Sequence, residues 1–128
     1  MTTQTSHHPI LIVEDDEPTR HLLRAILRRS GYASDVACNG REAMLMLQEK
    51  RYAAVVLDMM MPEVDGRAVV SFLADTGMAV PVVVCSAAGP SALADFDFDI
   101  VKAIVRKPFD IDQLVAVVTS VAGEDAAE

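Results

Sequence analysis

Four short apolar runs in the sequence each end at a side chain that could take part in chemistry. The acidic pair Glu14 and Asp15 follows ILIV, Asp58 follows AAVVL, Ser86 follows VVVC, and Lys107 follows AIVR. If these runs are parallel strands, their carboxyl ends meet at one edge of a sheet, which is where open α/β folds bind ligands. We therefore expect three carboxylates, a hydroxyl and an ammonium group to converge there.

This set of groups is suited to phosphoryl transfer. Three neighbouring carboxylates repel one another unless protons or a cation neutralise them. A site built from oxygen ligands, without His or Cys, favours Mg²⁺, which retains waters and accepts phosphate oxygens. With Lys107 and the Ser86 hydroxyl beside it, the cation would neutralise a transferred phosphoryl group. Asp58, on an apolar central strand, is the expected acceptor, while the acidic pair serves the metal.

An α/β fold is needed to position these residues. Apolar runs alternate with segments of helical period, a pattern that predicts a parallel sheet covered by helices on both faces. We expect strands at 10–13, 33–37, 53–57, 79–85 and 103–106. Helices are predicted from an Asp16 cap to Gly31, from an Asn39 cap through Lys50, after a 62–66 loop up to Gly77, and from 111 onward.

Length and charge restrict the function classes. The 128 residues are enough for one domain, expected at 9–122 between a flexible tail at 1–8 and an acidic tail at 123–128, with no output domain in the chain. A formal net charge of -8 argues against direct nucleic acid binding, and no apolar run is long enough for membrane insertion. Cys38 and Cys85 form no C-x-x-C pair and are expected to pack as small hydrophobes. We expect a cytoplasmic protein.

Four motifs together resemble a known family. ILIVEDDEP, VVLDMMMPEVDG, VVVCSA and VRKPF occur in this order over nearly the whole chain, which is similar to the receiver domain of bacterial two-component response regulators. The resemblance implies a doubly wound, flavodoxin-like sheet of five parallel strands in the order 2-1-3-4-5, with about five helices. It implies a signalling domain that assists its own phosphorylation and dephosphorylation and is otherwise not an enzyme.

The resemblance also implies a role for each site residue. Asp58 would take phosphate from a phosphohistidine donor, with Ser86 as the switch hydroxyl and Lys107 as the phosphate-binding cation. The implied Mg²⁺ ligands are Glu14, Asp15, Asp58 and the backbone carbonyl of Met60. Phosphorylation would then reshape a surface that binds partners.

The sequence departs from the family pattern at three places. Ile104 stands where receivers usually carry an aromatic residue whose rotamer reports phosphorylation. Acidic and Phe residues alternate over 95–99, so we expect the helix before the last strand to be short or irregular and the output surface to be altered. Met60 and Ala88 replace polar residues beside the site, which predicts slow loss of the phosphoryl group.

A basic stripe is the predicted partner surface. Arg20, Arg24 and Arg28 recur every fourth residue along the first predicted helix. They form either a solvated face or, as the family resemblance implies, a docking surface for a sensor histidine kinase or a histidine phosphotransfer protein. The downstream target and homodimerisation stay open.

Three alternative functions fit the sequence less well. A small Mg²⁺-dependent aspartyl phosphatase would carry a second carboxylate two residues after its nucleophile, where this chain has Met60. A degenerate receiver that acts only as a protein-binding module would not need the complete set of acidic pair, Asp58, Ser86 and Lys107. A flavin carrier would need a Gly/Ser/Thr-rich phosphate loop after the first strand, and none follows.

Overall fold

The computed structural model describes residues 8–58, 63–86, 99–107 and 110–126, and the side chains of 58, 63–65 and 123–126 lie outside this description. Within these ranges the strands and helices alternate along the chain, as the pattern of apolar runs predicts. In chain order they are β1 (Ile10–Val13), α1 (Glu17–Arg29), β2 (Ser34–Ala37), α2 (Gly40–Glu49), β3 (Ala54–Asp58), α3 (Glu63–Thr76), β4 (Val82–Ser86), β5 (Val101–Arg106) and α4 (Ile111–Ala126).

The five strands form one sheet in the order β2-β1-β3-β4-β5, and every neighbouring pair is parallel. This confirms the predicted doubly wound topology and its strand order. Because all strands run the same way, their carboxyl ends share one edge. The described residues contain four helices, and the helix predicted to be short or irregular between the fourth and fifth strands lies in 87–98, outside the described residues.

The sheet is packed on both faces. Leu11, Val13, Val55 and Leu57 contribute to one buried cluster with residues of α2 and α3. The alternate strand residues, among them Ile12 and Val56, contribute to a second cluster with residues of α1 and α4. Two covered faces explain why the strands are continuous apolar runs rather than alternating ones.

Local signals set the ends of the first two helices. The Asp16 side chain accepts a hydrogen bond from the Thr19 amide at 3.1 Å, and Asn39 Oδ1 accepts one from the Glu42 amide at 2.8 Å. Gly31 ends α1 with a φ of 93°, a conformation that residues with a Cβ rarely adopt. The predicted caps at Asp16 and Asn39 and the predicted stop at Gly31 are confirmed.

Several predicted boundaries were wrong. The 62–66 segment is not all loop, because α3 begins at Glu63 and contains the buried Gly66. Gly66 lies inside this helix, which tolerates one glycine at a cost of about 1 kcal/mol. β4 begins at Val82, after Pro81, which has no N–H to donate to a strand ladder. β5 begins at Val101 rather than at 103, whereas α4 begins at Ile111, as predicted.

The two cysteines occupy different environments. Cys85 is buried in β4, as expected for a small hydrophobe, whereas Cys38 is exposed. Cys38 lies just beyond β2, and its amide donates a hydrogen bond to Glu42 Oε1 at 2.6 Å. The prediction that both pack inside was therefore wrong for Cys38, because the strand before it ends at Ala37.

Candidate functional site

The carboxyl ends of β1 and β3 bring the predicted acidic residues to neighbouring positions. Val13 pairs with Leu57, so Glu14 and Asp58 are the next residues on two adjacent strands. Adjacent strands are about 4.8 Å apart. The β1 acids and the backbone of Asp58 therefore lie side by side at one edge of the sheet.

The ends of β4 and β5 continue this edge. Asp58 pairs with Cys85, and the following residue, Ser86, pairs with Arg106. The Lys107 amide donates a hydrogen bond to the Ser86 carbonyl at 2.9 Å. The structure thus brings Ser86 and Lys107 together on the strands that follow β3 across the sheet, as the sequence predicted.

Glu14 is anchored in the interior although it is acidic. Its side chain is 1% exposed, and its amide donates to the Ala37 carbonyl of β2 at 3.0 Å. Its carboxylate Oε2 accepts a hydrogen bond from the Asp16 amide at 3.1 Å. A carboxylate in such a site loses hydration, so a nearby cation would stabilise its ionised form.

Asp15 and Asp16 differ from Glu14 in being exposed. Asp16 is the cap of α1, and its Oδ2 accepts hydrogen bonds from both the hydroxyl and the amide of Thr19. The hydroxyl bond is the main reason that the pKa of Asp16 lies below its ordinary value, with the amide bond adding to it. Among the three consecutive acids, Asp16 is therefore used by the helix, and Asp15 is the exposed one beside a buried glutamate.

Arg20 has a contact that the sequence did not reveal. Its guanidinium Nη1 donates to the Glu14 carbonyl at 3.0 Å, and its side chain is only half exposed. Its spacing placed it in the basic stripe, and the family resemblance implied that this stripe could be a docking surface. A cue was present in the sequence, since Arg20 lies one helical turn after the Asp16 cap and can reach back to the end of β1.

The other two arginines of the stripe are exposed on α1. Arg24 Nη2 approaches the Ser34 carbonyl at 3.5 Å. Both arginines line a groove of about 450 Å³ together with Tyr32. The stripe is therefore divided into one arginine held at the acidic edge and two that face solvent.

Ser86 and Lys107 differ in exposure. Ser86 is 1% exposed, whereas Lys107 is half-buried. The positive charge of Lys107 is one of the smaller contributions that lower the pKa of Asp16, after the bonds from Thr19 and the charge of Arg20. The edge thus combines a cation, a hydroxyl and carboxylates.

Parts of the predicted site lie outside the described residues. These are the side chain of Asp58, Met60 with its carbonyl, Ala88, and the acidic and Phe residues of 95–98. Among the side chains that are described, no group of three His, Cys or acidic residues is close enough to hold a metal ion. Ile104 pairs with Val84 and packs, partly buried, against the α2–α3 side of the core.

A second polar cluster lies at the outer strand of the sheet, on the β2 side. Asp35 Oδ2 accepts hydrogen bonds from the Tyr52 hydroxyl at 2.8 Å and from Lys50 Nζ at 3.0 Å. Lys50 Nζ also lies 5.9 Å from the Tyr52 ring centroid. We call these three residues the Asp35 cluster. No motif or spacing in the sequence indicates this cluster.

The pKa values in the Asp35 cluster are shifted by its internal contacts. Partial burial alone would raise the pKa of Asp35, but the hydrogen bonds from Lys50 and Tyr52 outweigh it and the net shift is downward. Burial, followed by the hydrogen bond to Asp35, raises the pKa of Tyr52. The contacts of the cluster therefore favour the charged form of Asp35 and the neutral form of Tyr52.

A groove of about 620 Å³ lies at the opposite, amino-terminal edge of the sheet. Tyr52, Pro81 and Val121 contribute to its lining. Since Tyr52 and Pro81 each precede a strand, the groove is separated from the carboxyl ends of the strands by the full length of the strands. It is not part of the candidate site.

No helix in the described part of the chain is long and apolar enough to cross a bilayer.

Comparison with known protein sequences identifies a family. Residues 10–119 match the sequence model of the response regulator receiver domain. The response regulator MprA of Mycolicibacterium vanbaalenii is 39% identical over 115 residues, which cover 84% of this chain and 47% of that protein. The chain therefore spans about half the length of the curated relatives it matches.

Comparison with solved structures supports the same fold. The receiver domain of the Francisella response regulator 1452 has a TM-score of 0.82 and 24% identity, over 91% of this chain and 98% of that one. The receiver domain of the sensor histidine kinase PA1611 from Pseudomonas aeruginosa, solved with magnesium coordinated in its active site cleft, has a TM-score of 0.79 and 23% identity, over 91% and 98%. At these identities the two structures show likeness of fold.

Proposed function

The chain belongs to the response regulator receiver domain family, and from that premise we propose that it accepts a phosphoryl group on Asp58 in a Mg²⁺-dependent reaction. Membership of this family assigns the domain to two-component signalling. The donor would be the phosphohistidine of a sensor histidine kinase or of a histidine phosphotransfer protein.

One observation carries this proposal. The ends of β1, β3, β4 and β5 bring an acidic pair, Asp58, Ser86 and Lys107 to one edge of the sheet, in the order in which the strands lie. Each of these groups has a separate task in phosphoryl transfer. A purely structural role could explain any one of these residues, but it does not explain why all of them lie at the same edge of the sheet.

The residues at this edge fit Mg²⁺. Glu14 is buried and Asp15 is exposed next to it, so oxygen ligands are available without His or Cys. With Asp58 and the Met60 carbonyl they form the proposed ligand set. When bound, Mg²⁺ would neutralise the carboxylates and the oxygens of the entering phosphoryl group. The magnesium of the PA1611 receiver domain supports this assignment by similarity.

The transfer itself makes one bond and breaks one. An Asp58 carboxylate oxygen attacks phosphorus, the P–N bond to the donor imidazole breaks, and that nitrogen keeps the electron pair and becomes protonated. Lys107 would bind a phosphoryl oxygen and so balance the charge that accumulates during transfer. The Ser86 hydroxyl would donate to another.

Phosphorylation would change the state of β4 and β5. The phosphoryl group adds about -1.5 to -2 charge. Ser86 and Lys107 are joined by a backbone hydrogen bond, so a displacement of one toward the phosphate is transmitted to the other. We propose that this movement alters a surface that a downstream protein binds. In β5, Ile104 rather than an aromatic side chain packs against the core.

The proposed docking surface for the donor is the exposed part of the basic stripe, Arg24 and Arg28 on α1. Opposite charge on the donor would favour encounter. The proposal also includes a cytoplasmic location, where such donors present their phosphohistidine. A degenerate receiver that only binds partners is the main competing function.

Intact-mass measurement after incubation with acetyl phosphate and Mg²⁺ tests the proposal. The wild type should gain about 80 Da, the mass of one phosphoryl group, and Asp58→Asn should gain nothing. Asp75→Asn, which changes an exposed acid on α3, is the matched control and should gain the same mass as the wild type. An unlabelled wild type at all Mg²⁺ concentrations would favour the degenerate receiver.

A further inference from the structure

Arg20 binds the acidic segment on both sides of Asp15. Its backbone amide donates to the Asp16 carbonyl at 3.0 Å, as the first turn of α1 requires. Its guanidinium Nη1 donates to the Glu14 carbonyl, also at 3.0 Å. One residue therefore holds the carbonyl before Asp15 and the carbonyl after it.

The remaining bonds of this segment restrain it further. The Asp16 amide donates to the Glu14 carboxylate, and the Asp16 side chain accepts from Thr19. None of these contacts uses the side chain of Arg24, which lies one helical turn later and contacts the Ser34 carbonyl instead. Arg20 alone among the three stripe arginines is half-buried.

Arginine is suited to this task for a physical reason. Its planar guanidinium carries several N–H donors in a fixed arrangement and stays charged at all relevant pH values. A hydrogen bond from a charged donor is stronger than a neutral one, and here it is partly shielded from water. The contact therefore restrains the direction of the chain as it leaves β1.

We infer that Arg20 is a positioning residue, which holds the Glu14–Asp16 segment so that the carboxylates of Glu14 and Asp15 are preorganised for a divalent cation. The inference rests on the proposed function, because it assigns Arg20 to the same metal site. It removes Arg20 from the docking surface that the family resemblance implied for the basic stripe.

The experiment measures Mg²⁺ binding directly, by titrating MgCl₂ into isotopically labelled protein and following backbone amide shifts. Residues that orient metal ligands change affinity by about 10- to 100-fold when mutated. We expect Arg20→Gln to raise the Kd for Mg²⁺ by about 10-fold, near the lower end of that range, since Asp15 and Glu14 remain. Arg20→Lys keeps the charge but not the planar donors, and should give a smaller increase.

Arg29→Gln is the matched control, because Arg29 is an exposed arginine of the same helix. Its Kd for Mg²⁺ should equal that of the wild type. Thermal unfolding without Mg²⁺ verifies that each variant is folded, and Arg20→Lys keeps the test decisive if Arg20→Gln does not fold.

Labelling by acetyl phosphate provides the second readout. For Arg20→Gln the Mg²⁺ concentration at half-maximal labelling should rise by the same factor as the Kd, while the maximal extent at saturating Mg²⁺ stays at the wild-type level. A reduced maximum with unchanged Kd would overturn the positioning role.

The results separate the two proposals. If the wild type binds Mg²⁺ and is labelled, but both Arg20 variants bind Mg²⁺ as the wild type does, the inference about Arg20 fails and the proposed function stands. If the wild type neither binds Mg²⁺ nor is labelled, the proposed function fails first.

Discussion

The Glu14–Asp16 segment and the Asp35 cluster both combine carboxylates with cations, but they are built differently. Asp35 receives its hydrogen bonds from two side chains, Lys50 and Tyr52. The acidic segment is instead held largely through its backbone, as the Glu14 carbonyl and the Asp16 amide show. The Asp35 contacts join side chains of separate segments, whereas the bonds of the acidic segment fix the direction of its main chain as it leaves β1.

The comparison also limits what a shifted pKa indicates. Perturbed pKa values are often used to find functional sites, although structural ion pairs shift them as well. The Asp35 cluster has clear shifts and lies at the outer strand β2, away from the carboxyl ends of the central strands. Since the pKa of Asp16 in the acidic segment is lowered as well, a shifted pKa does not by itself distinguish the two regions.

The largest expected effect comes from changing Asp15. Asp15→Asn removes a proposed metal ligand, and the Kd for Mg²⁺ in an amide-shift titration should rise by about 10-fold or more. The free energy of unfolding without Mg²⁺ should not fall, because the change removes one charge from an acidic segment. Asp35→Asn, which changes the Asp35 cluster instead, is the control. An equal loss of Mg²⁺ affinity in Asp35→Asn would break the distinction between the two regions.

An intermediate effect is expected when Asp35 itself is changed. Asp35→Asn should lower the free energy of unfolding by about 1–2 kcal/mol at neutral pH, because two hydrogen bonds to a charged acceptor are weakened in a partly exposed site. Urea unfolding measures this, with Asp75→Asn as the matched exposed acid. The extent of labelling by acetyl phosphate should match that of the wild type, and its loss would contradict a purely structural role.

The acid dependence of the same variant has a definite sign. The pKa of Asp35 in the folded protein lies below the ordinary value of 3.8, so its contribution to stability is present above pH 3.8. It is lost as the pH falls from there through the lowered pKa. The difference between wild type and Asp35→Asn in urea unfolding should therefore shrink below pH 3.8, and a constant difference would argue against this ion pair.

The smallest expected effect is that of Tyr52→Phe. The ring is 5% exposed and keeps its packing, while the hydroxyl that donates to Asp35 is lost. Because Lys50 still contacts Asp35, the free energy of unfolding should fall by about 0.5–1 kcal/mol. A loss larger than that of Asp35→Asn would mean that Tyr52 has a role beyond the cluster, for example in the groove it lines.

The sequence was sufficient to predict the sheet and the residues that lie at the carboxyl ends of its strands. Each of the apolar runs before Glu14, Asp58 and Ser86 became a strand, since a continuous apolar run satisfies a sheet covered on both faces. The caps at Asp16 and Asn39 could also be predicted, because they depend on contacts three residues away. Local rules were enough wherever the deciding interaction is local.

What could not be predicted depends on contacts between distant segments. Glu14 and Asp15 are adjacent acids in the sequence, yet one is buried and the other exposed. The difference arises from the β2 carbonyl that holds the Glu14 amide and from Arg20. Likewise, Asp35 and Tyr52 have no pattern in common, and only the folded sheet brings them together.

The order of strands has a consequence for synthesis. Lys107 follows β5, which is the last strand along the chain and the outermost in the sheet, next to β4. A ribosome adding about 5–20 residues per second would release Glu14, Asp15 and Asp58 several seconds before Lys107. A nascent chain would therefore carry its acidic residues before Lys107, and the carboxyl edge of the sheet is complete only after translation has delivered the last strand.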